Sequence, residues 1–209
     1  MRRVVVTGMA GVSPIGLDRK EIMTSLREGT SGIRYMHEWE RYDDLNTRLG
    51  GPIENFIKPA HYGRKQVRSM GRVALMATVV TELALQEAGL LETDFLSQGR
   101  LGISFGSSSG SPEAIADFGH MLLNHESNGI NANSYIKMMS HTAAVNIGVF
   151  FGIRGRVIST STACTSGSQG VGYAYEAIKH GLQDMMVAGG SEELCATQAA
   201  VFDALYATS

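Results

Sequence analysis

The chain has 209 residues, 44% hydrophobic and 18% charged, and its 18 Lys+Arg against 20 Asp+Glu give a formal net charge of −2. That apolar fraction builds a globular core, excludes long disorder and fits one domain or two small ones. The balance of charge gives no overall pull toward nucleic acid or an anionic membrane, and two cysteines, Cys164 and Cys195, make neither a disulfide scaffold nor a Cys-based zinc site.

Val4-Val5-Val6 reads as a short buried strand ended by Gly8 and Gly11, too short an apolar run for a secretory signal. Asp18 is a good N-cap for a helix reaching Glu28, before Gly29-Thr30-Ser31-Gly32. Residues 33–63, with Pro52 and Pro59, read as an excursion over the surface. The strongest helix starts near Arg64. Met70, Val73, Ala74, Ala77, Val80, Thr81, Ala84, Leu85 and Ala88 recur at three- and four-residue steps, and Gly89 fits its C-cap. Residues 101–105 predict a strand and 106–110 a loop. Pro112 suits the first turn of a helix through about Leu123. Segments 134–139 and 141–151 read as helices, and 157–159 as a strand. Residues 167–180 predict a helix of small residues, and 185–188 a strand ended by Gly189-Gly190. Strands alternating with helices predict an α/β fold with a layered, largely parallel sheet.

Glycine is 25 of 209 residues, about 12% against a typical ~7%. Such an excess implies tight turns and close backbone approaches. From Ser140 to Tyr175 the only Lys, Arg, Asp or Glu residues are Arg154 and Arg156, so this block is expected to be deep core or a large subunit interface. Its charge-free stretch, 157–175, is too rich in Ser, Thr and Gly to span a membrane. A soluble protein of a reducing compartment is expected.

Four constellations bear on chemistry. The Gly8, Gly11, Gly16 spacing departs from G-x-G-x-x-G, and Pro14 sits where a phosphate-binding helix would begin, which argues against a dinucleotide site. Gly106-Ser107-Ser108-Ser109-Gly110 matches G-x-S-x-G after a strand, with Ser108 as nucleophile of a serine hydrolase. The bland alternative is a small-residue loop, and a hydrolase also needs an acid and a later histidine, for which only His120, His125, His141 and His180 remain, none forced into a catalytic place. In Ser159-Thr160-Ser161-Thr162-Ala163-Cys164-Thr165-Ser166-Gly167, Cys164 falls between a strand and a helix of small residues. A lone cysteine is usually a buried small hydrophobe. Here the helix N-terminus offers N–H groups and a positive dipole end, both of which favour a thiolate nucleophile and supply part of an oxyanion hole. Cys195, next to Glu192 and Glu193, reads as structural. Finally, Lys65, Arg68 and Arg72 are three and four residues apart, so on a continuous helix they share a face. No acidic residue lies between Arg64 and Thr81, so an acidic partner or phosphate is expected there.

Several ordered motifs together resemble the β-ketoacyl-acyl-carrier-protein synthases of types I and II, the condensing enzymes of fatty-acid synthesis. They are Arg2-Arg3-Val4-Val5-Val6-Thr7-Gly8, Ser13-Pro14-Ile15-Gly16, Gly29-Thr30-Ser31-Gly32-Ile33, Thr162-Ala163-Cys164-Thr165-Ser166-Gly167, Val187-Ala188-Gly189-Gly190-Ser191-Glu192-Glu193 and Phe202-Asp203-Ala204-Leu205. The resemblance covers essentially the whole chain. It implies a thiolase-like layered fold, of which residues 1–209 are the amino-terminal βαβ-rich half, apparently truncated before the carboxy-terminal half.

The resemblance further implies that Cys164 takes an acyl group from acyl carrier protein, with its backbone N–H in the oxyanion hole. Malonyl carrier protein then decarboxylates and its carbanion attacks the thioester. It implies no metal and no redox cofactor. Lys65 and Arg68 match carrier-docking positions, and Ser109 and Phe202 match the acyl pocket, where a small Ser109 leaves room. A cytoplasmic homodimer is expected. The family's two catalytic histidines and supporting lysine lie in its second half. None of His37, His61, His120, His125, His141 or His180 sits in those motifs. These 209 residues alone are therefore expected to be inactive in condensation. The rival expectation is a non-catalytic carrier-binding or dimerising module.

Overall fold

A computed structural model describes residues 1–208. In chain order the elements are α1 (Arg19–Glu28), β1 (Arg34–Tyr35), β2 (Leu49–Gly50), α2 (Arg64–Val67), α3 (Arg72–Glu87), β3 (Leu101–Gly106), α4 (Pro112–Asn124) and α5 (Ala132–Met138). They continue with α6 (Thr142–Phe151), β4 (Val157–Thr160), α7 (Ser166–Lys179), β5 (Met185–Gly190) and α8 (Ala196–Ala204). Contacts divide the chain into two units. One joins Met1–Met9 to Lys58–Glu193, and the other joins Ala10–Ile57 to the chain from Leu194 onward.

The first unit is built on three parallel strands in the order β4-β3-β5. Side chains alternate along a strand, so β3 presents two different faces. Leu101, Ile103 and Phe105 point into a core with Val73, Ala77 and Leu85 of α3 and Ala143, Ala144 and Ile147 of α6. Gly102, Ser104 and Gly106 carry the other face, against α7. Only small residues there let the helix lie on the strands. A Cβ added at Gly170 of α7 would stand 2.9 Å from the carbonyl oxygens of both Ser104 and Gly189. The predicted helix of small residues is thus small for packing, and the α/β alternation becomes a three-layer arrangement.

The second unit contains α1, the antiparallel pair β1–β2 and α8. Asp18 caps α1 by accepting the Glu21 N–H at 2.8 Å, and Gly29 closes it with φ 68°. Met36, Trp39, Leu45 and Ala199 form its core. Asp203 at the end of α8 accepts from the Asn46 backbone N–H at 2.8 Å, the Asn46 amide at 3.1 Å and the Thr47 hydroxyl at 3.0 Å. The Asn46 N–H, first among these, holds the Asp203 carboxyl below the usual carboxylate range. A depressed folded-state pKa contributes stability at neutral pH that is lost as pH falls through it. Asp203→Ala should lower the urea midpoint at pH 7 and flatten its decline below about pH 4. Trp39, the single tryptophan and buried in this core, reports the transition by its fluorescence. An unchanged acid limb would remove Asp203 from the account.

Three sequence expectations differ from the structure. Val4-Val5-Val6 does not form a strand: Val5 and Val6 are exposed, and the ordered backbone bond at this end runs from the Arg2 N–H to the Lys179 carbonyl. An apolar triplet becomes a strand only when a sheet edge takes up its N–H and C=O groups.

The long helix from Arg64 is broken. α2 ends at Val67, and α3 restarts after Gly71, which is extended (φ −80°, ψ −178°), while the Ser111 hydroxyl accepts the Val73 N–H at 3.1 Å. Glycine's poor helix propensity and a cap borrowed from another segment favour this restart. Lys65, Arg68 and Arg72 therefore do not share one continuous helix face. Lys65 and Arg68 remain exposed, whereas Arg72 is half-buried and acts on Glu193.

The charge-poor block also divides. The inner face of α6 is core, but Val145, Val149, Val171, Tyr173 and Tyr175 are exposed. The pair β1–β2 and helix α8 were not foreseen as elements.

Candidate active site

Three loops leave the carboxyl ends of the three parallel strands side by side: residues 107–111 after β3, 161–165 after β4 and 191–193 after β5. In open parallel sheets this edge is where ligands bind. Cys164 lies on the turn between β4 and α7 and is exposed.

The turn is unusual in its backbone. Ala163 has φ 50°, a left-handed conformation that costs a non-glycine residue roughly 1–2 kcal/mol. Side-chain bonds offset that cost. The Ser166 hydroxyl donates to the Ala163 carbonyl at 2.6 Å and accepts the Thr162 N–H at 2.9 Å. The Thr165 hydroxyl donates to the Thr162 carbonyl at 2.8 Å, and the Thr160 hydroxyl to the Ser166 carbonyl at 2.7 Å. The Ser/Thr richness of this segment thus closes a sharp turn that projects Cys164. Helix α7 begins two residues later, so its positive dipole end lies at the turn. Gly106 allows the approach: a Cβ there would stand 2.5 Å from the Thr160 hydroxyl and 2.6 Å from the Ser166 carbonyl.

The loop after β3 gathers around one carboxylate. Ser108 donates its backbone N–H to Glu192 at 2.6 Å, Ser107 donates its hydroxyl at 3.2 Å and Ser109 donates its hydroxyl at 3.4 Å. The Ser107 hydroxyl also accepts the Gly110 N–H at 3.1 Å. Glu192 stands two residues past the end of β5, after Ser191, whose N–H reaches the Gly106 carbonyl at 3.0 Å. The next residue, Glu193, is half-buried, and one of its carboxylate oxygens is buried without a hydrogen bond. Burial pushes its carboxyl above the usual range, against the opposing pull of Arg72 and Ser111.

Each expected site residue has a definite place. Ser109 is half-buried in the loop beside the Cys164 turn, and Lys65 and Arg68 are exposed on α2 and at its end. Phe202 is on α8 of the second unit, 43% exposed. Cys195 is the half-buried N-cap residue of α8, its sulfur 2.8 Å from the Thr197 hydroxyl, in keeping with a structural role. Of the five histidines in the first unit, none is hydrogen-bonded to Ser108 or Cys164 among the described residues. His61 instead pairs with Glu82 at 2.9 Å, and His120 with Asn124 at 2.8 Å. The residue that sequence reasoning left without a role is Glu192. Its signal was present in the Ser191-Glu192-Glu193 run immediately after a glycine-ended strand.

The model of the β-ketoacyl synthase N-terminal domain matches residues 1–209. The 3-oxoacyl-[acyl-carrier-protein] synthase 1 of Escherichia coli (strain K12) is 33% identical over 211 residues, covering 100% of this chain and 51% of that protein. The chain thus spans about half the length of the curated relatives it matches. A crystal structure of a beta-ketoacyl synthase from Burkholderia phymatum STM815 is 48% identical, with a TM-score of 0.96 over 100% of this chain and 51% of that one. A type II polyketide ketosynthase solved in complex with its acyl-carrier protein is 22% identical, with a TM-score of 0.80 over 97% of this chain and 54% of that one, and shares the fold. The layered α/β fold is accordingly the amino-terminal half of the thiolase-like ketosynthase fold, and the chain belongs to the β-ketoacyl synthase family.

Proposed function

We propose that Cys164 is the acyl-accepting nucleophile of a condensing enzyme of fatty-acid synthesis. Its thiolate attacks the carbonyl of an acyl thioester on acyl carrier protein, the new C–S bond forms at Cys164 as the carrier's C–S bond breaks, and the carrier's thiolate leaves and takes a proton from solvent. The helix-end N–H groups at the turn, that of Cys164 among them, receive the charge that develops on the carbonyl oxygen. A malonyl carrier protein then loses carbon dioxide, and its carbanion attacks the thioester carbonyl, giving a β-ketoacyl carrier product and freeing the Cys164 thiolate. The observation that carries this reading is an exposed cysteine on a strained, bond-closed turn at the start of a fourteen-residue helix. The relatives named as 3-oxoacyl-carrier-protein synthases support the condensing-enzyme part of this reading.

On this reading residues 1–209 load an acyl group but do not condense, because the family's histidine pair lies in its second half. Incubation with acyl- and malonyl-carrier protein should leave acylated chain with no ketoacyl product. Each missing oxyanion donor is worth about 10²–10³ in rate. Product formed at the rate of a whole condensing enzyme would contradict the division of labour.

The carrier's acidic surface is read as docking at Lys65 and Arg68, which are exposed and free of intervening acids. The double variant Lys65→Glu, Arg68→Glu should weaken carrier binding about tenfold or more at low salt, with the difference shrinking as salt rises. Equal affinity for both proteins would reject that docking site. The exposed apolar residues Val145, Val149, Val171 and Tyr175 support a homodimer, and a cytoplasmic location is part of the same proposal.

A further inference from the structure

The Glu192 side chain binds three consecutive residues of the loop after β3. Its two oxygens take the Ser108 N–H at 2.6 Å and the Ser107 and Ser109 hydroxyls at 3.2 and 3.4 Å. It stands on a firm base, since β5 and β3 pair as far as Gly190 and Gly106 and the Ser191 N–H extends that tie to the Gly106 carbonyl. The held loop adjoins the Cys164 turn: the Ser107 N–H donates to the Thr160 carbonyl at 3.2 Å, and the Thr160 hydroxyl in turn bonds Ser166. Hydrogen bonds to a carboxylate are the stronger kind, and three on one group add to the Gly110-to-Ser107 bond that closes the loop on itself.

We propose that Glu192 is a positioning residue that holds the Ser107–Ser109 segment as a wall beside Cys164, and so sets which acyl chain lengths load that cysteine. The chain-length part rests on the acyl transfer proposed above. Glu192 touches no reacting atom; it acts through Ser108 and Ser109. Glu192→Ala removes every acceptor. Glu192→Gln keeps one oxygen for the Ser108 N–H, while its amide donates to hydroxyls that can turn to accept.

Two readouts on the 209-residue chain test this. In amide hydrogen exchange, Glu192→Ala should lose protection at Ser108 by about tenfold or more, with Glu192→Gln close to the unchanged chain. In Cys164 loading from butyryl- and dodecanoyl-carrier protein, the ratio of the two rates should shift several-fold in Glu192→Ala and return in Glu192→Gln. General loosening of the fold would slow both donors alike and would not be rescued. Undiminished Ser108 protection, or an unshifted ratio, in Glu192→Ala would overturn the proposal. If the unchanged chain takes up no acyl group from either donor, the acyl-transfer reading fails and takes the chain-length role with it. The Ser108 amide then decides separately whether Glu192 holds the loop.

Discussion

Cys164→Ala is expected to lower acyl transfer to the chain by about 10³ or more, while leaving its unfolding midpoint nearly unchanged. The two halves of that expectation have separate physical sources. On the proposed role, removing the sulfur removes the atom to which the acyl group would bond. Stability is spared because the side chain is exposed and the turn is held by Thr160, Thr162, Thr165 and Ser166. Exposed substitutions away from such bonds usually fall within about ±0.5 kcal/mol. Carrier binding by Cys164→Ala should match the unchanged chain, since Lys65 and Arg68 are untouched. Loss of binding together with acylation would mean that the cysteine supports the surface rather than the chemistry.

The second large effect is predicted at Gly106. Gly106→Ala should destabilise the first unit by about 1–3 kcal/mol, the usual cost of forcing a methyl group into a packed interior. The clash is with the Thr160 hydroxyl and with backbone: the added carbon would meet the Ser166 carbonyl at 2.6 Å. Relief requires moving the end of β3 away from the start of α7. That shift disturbs the bond from Thr160 to Ser166 and therefore the turn that presents Cys164. A lowered urea midpoint accompanied by slower Cys164 alkylation is expected. A midpoint equal to that of the unchanged chain would show that the sheet yields at no cost, and that the close approach at Gly106 has no structural importance.

Periodicity and punctuation made much of this fold legible. Asp18 and Gly29 bracket α1 because a capping carboxylate and a left-handed glycine are local needs. The strands of the sheet and helices α4 to α7 follow from equally local signals. What failed was tertiary. Whether Val4-Val5-Val6 becomes a strand depends on a sheet edge far away in sequence, and the break between α2 and α3 depends on Ser111 arriving to cap Val73. The charge-poor stretch was legible as unusual, but only the structure divides it into the buried face of α6 and the exposed Val171, Tyr173 and Tyr175.

The site was legible to the same degree and for the same reason. Cys164 stood out because small residues, hydroxyls and a helix start are contiguous around it. The G-x-S-x-G match at Ser108 was equally contiguous, yet the structure shows its serines bound to a carboxylate 83 to 85 positions later in the chain. Long-range pairing of that kind leaves no spacing rule in a single sequence. The basic stripe illustrates the reverse case: its charges are local, but its single-face geometry assumed an unbroken helix.

The most direct measurement is the mass of the intact chain after incubation with an acyl-carrier protein, followed by peptide mapping. The predicted result is a gain of one acyl group on the peptide containing Cys164, released by neutral hydroxylamine as a thioester is, and absent in Cys164→Ala. An unmodified chain under conditions that acylate a whole condensing enzyme, or an acyl group carried on Ser108 in Cys164→Ala, would contradict the assignment of Cys164 as the nucleophile.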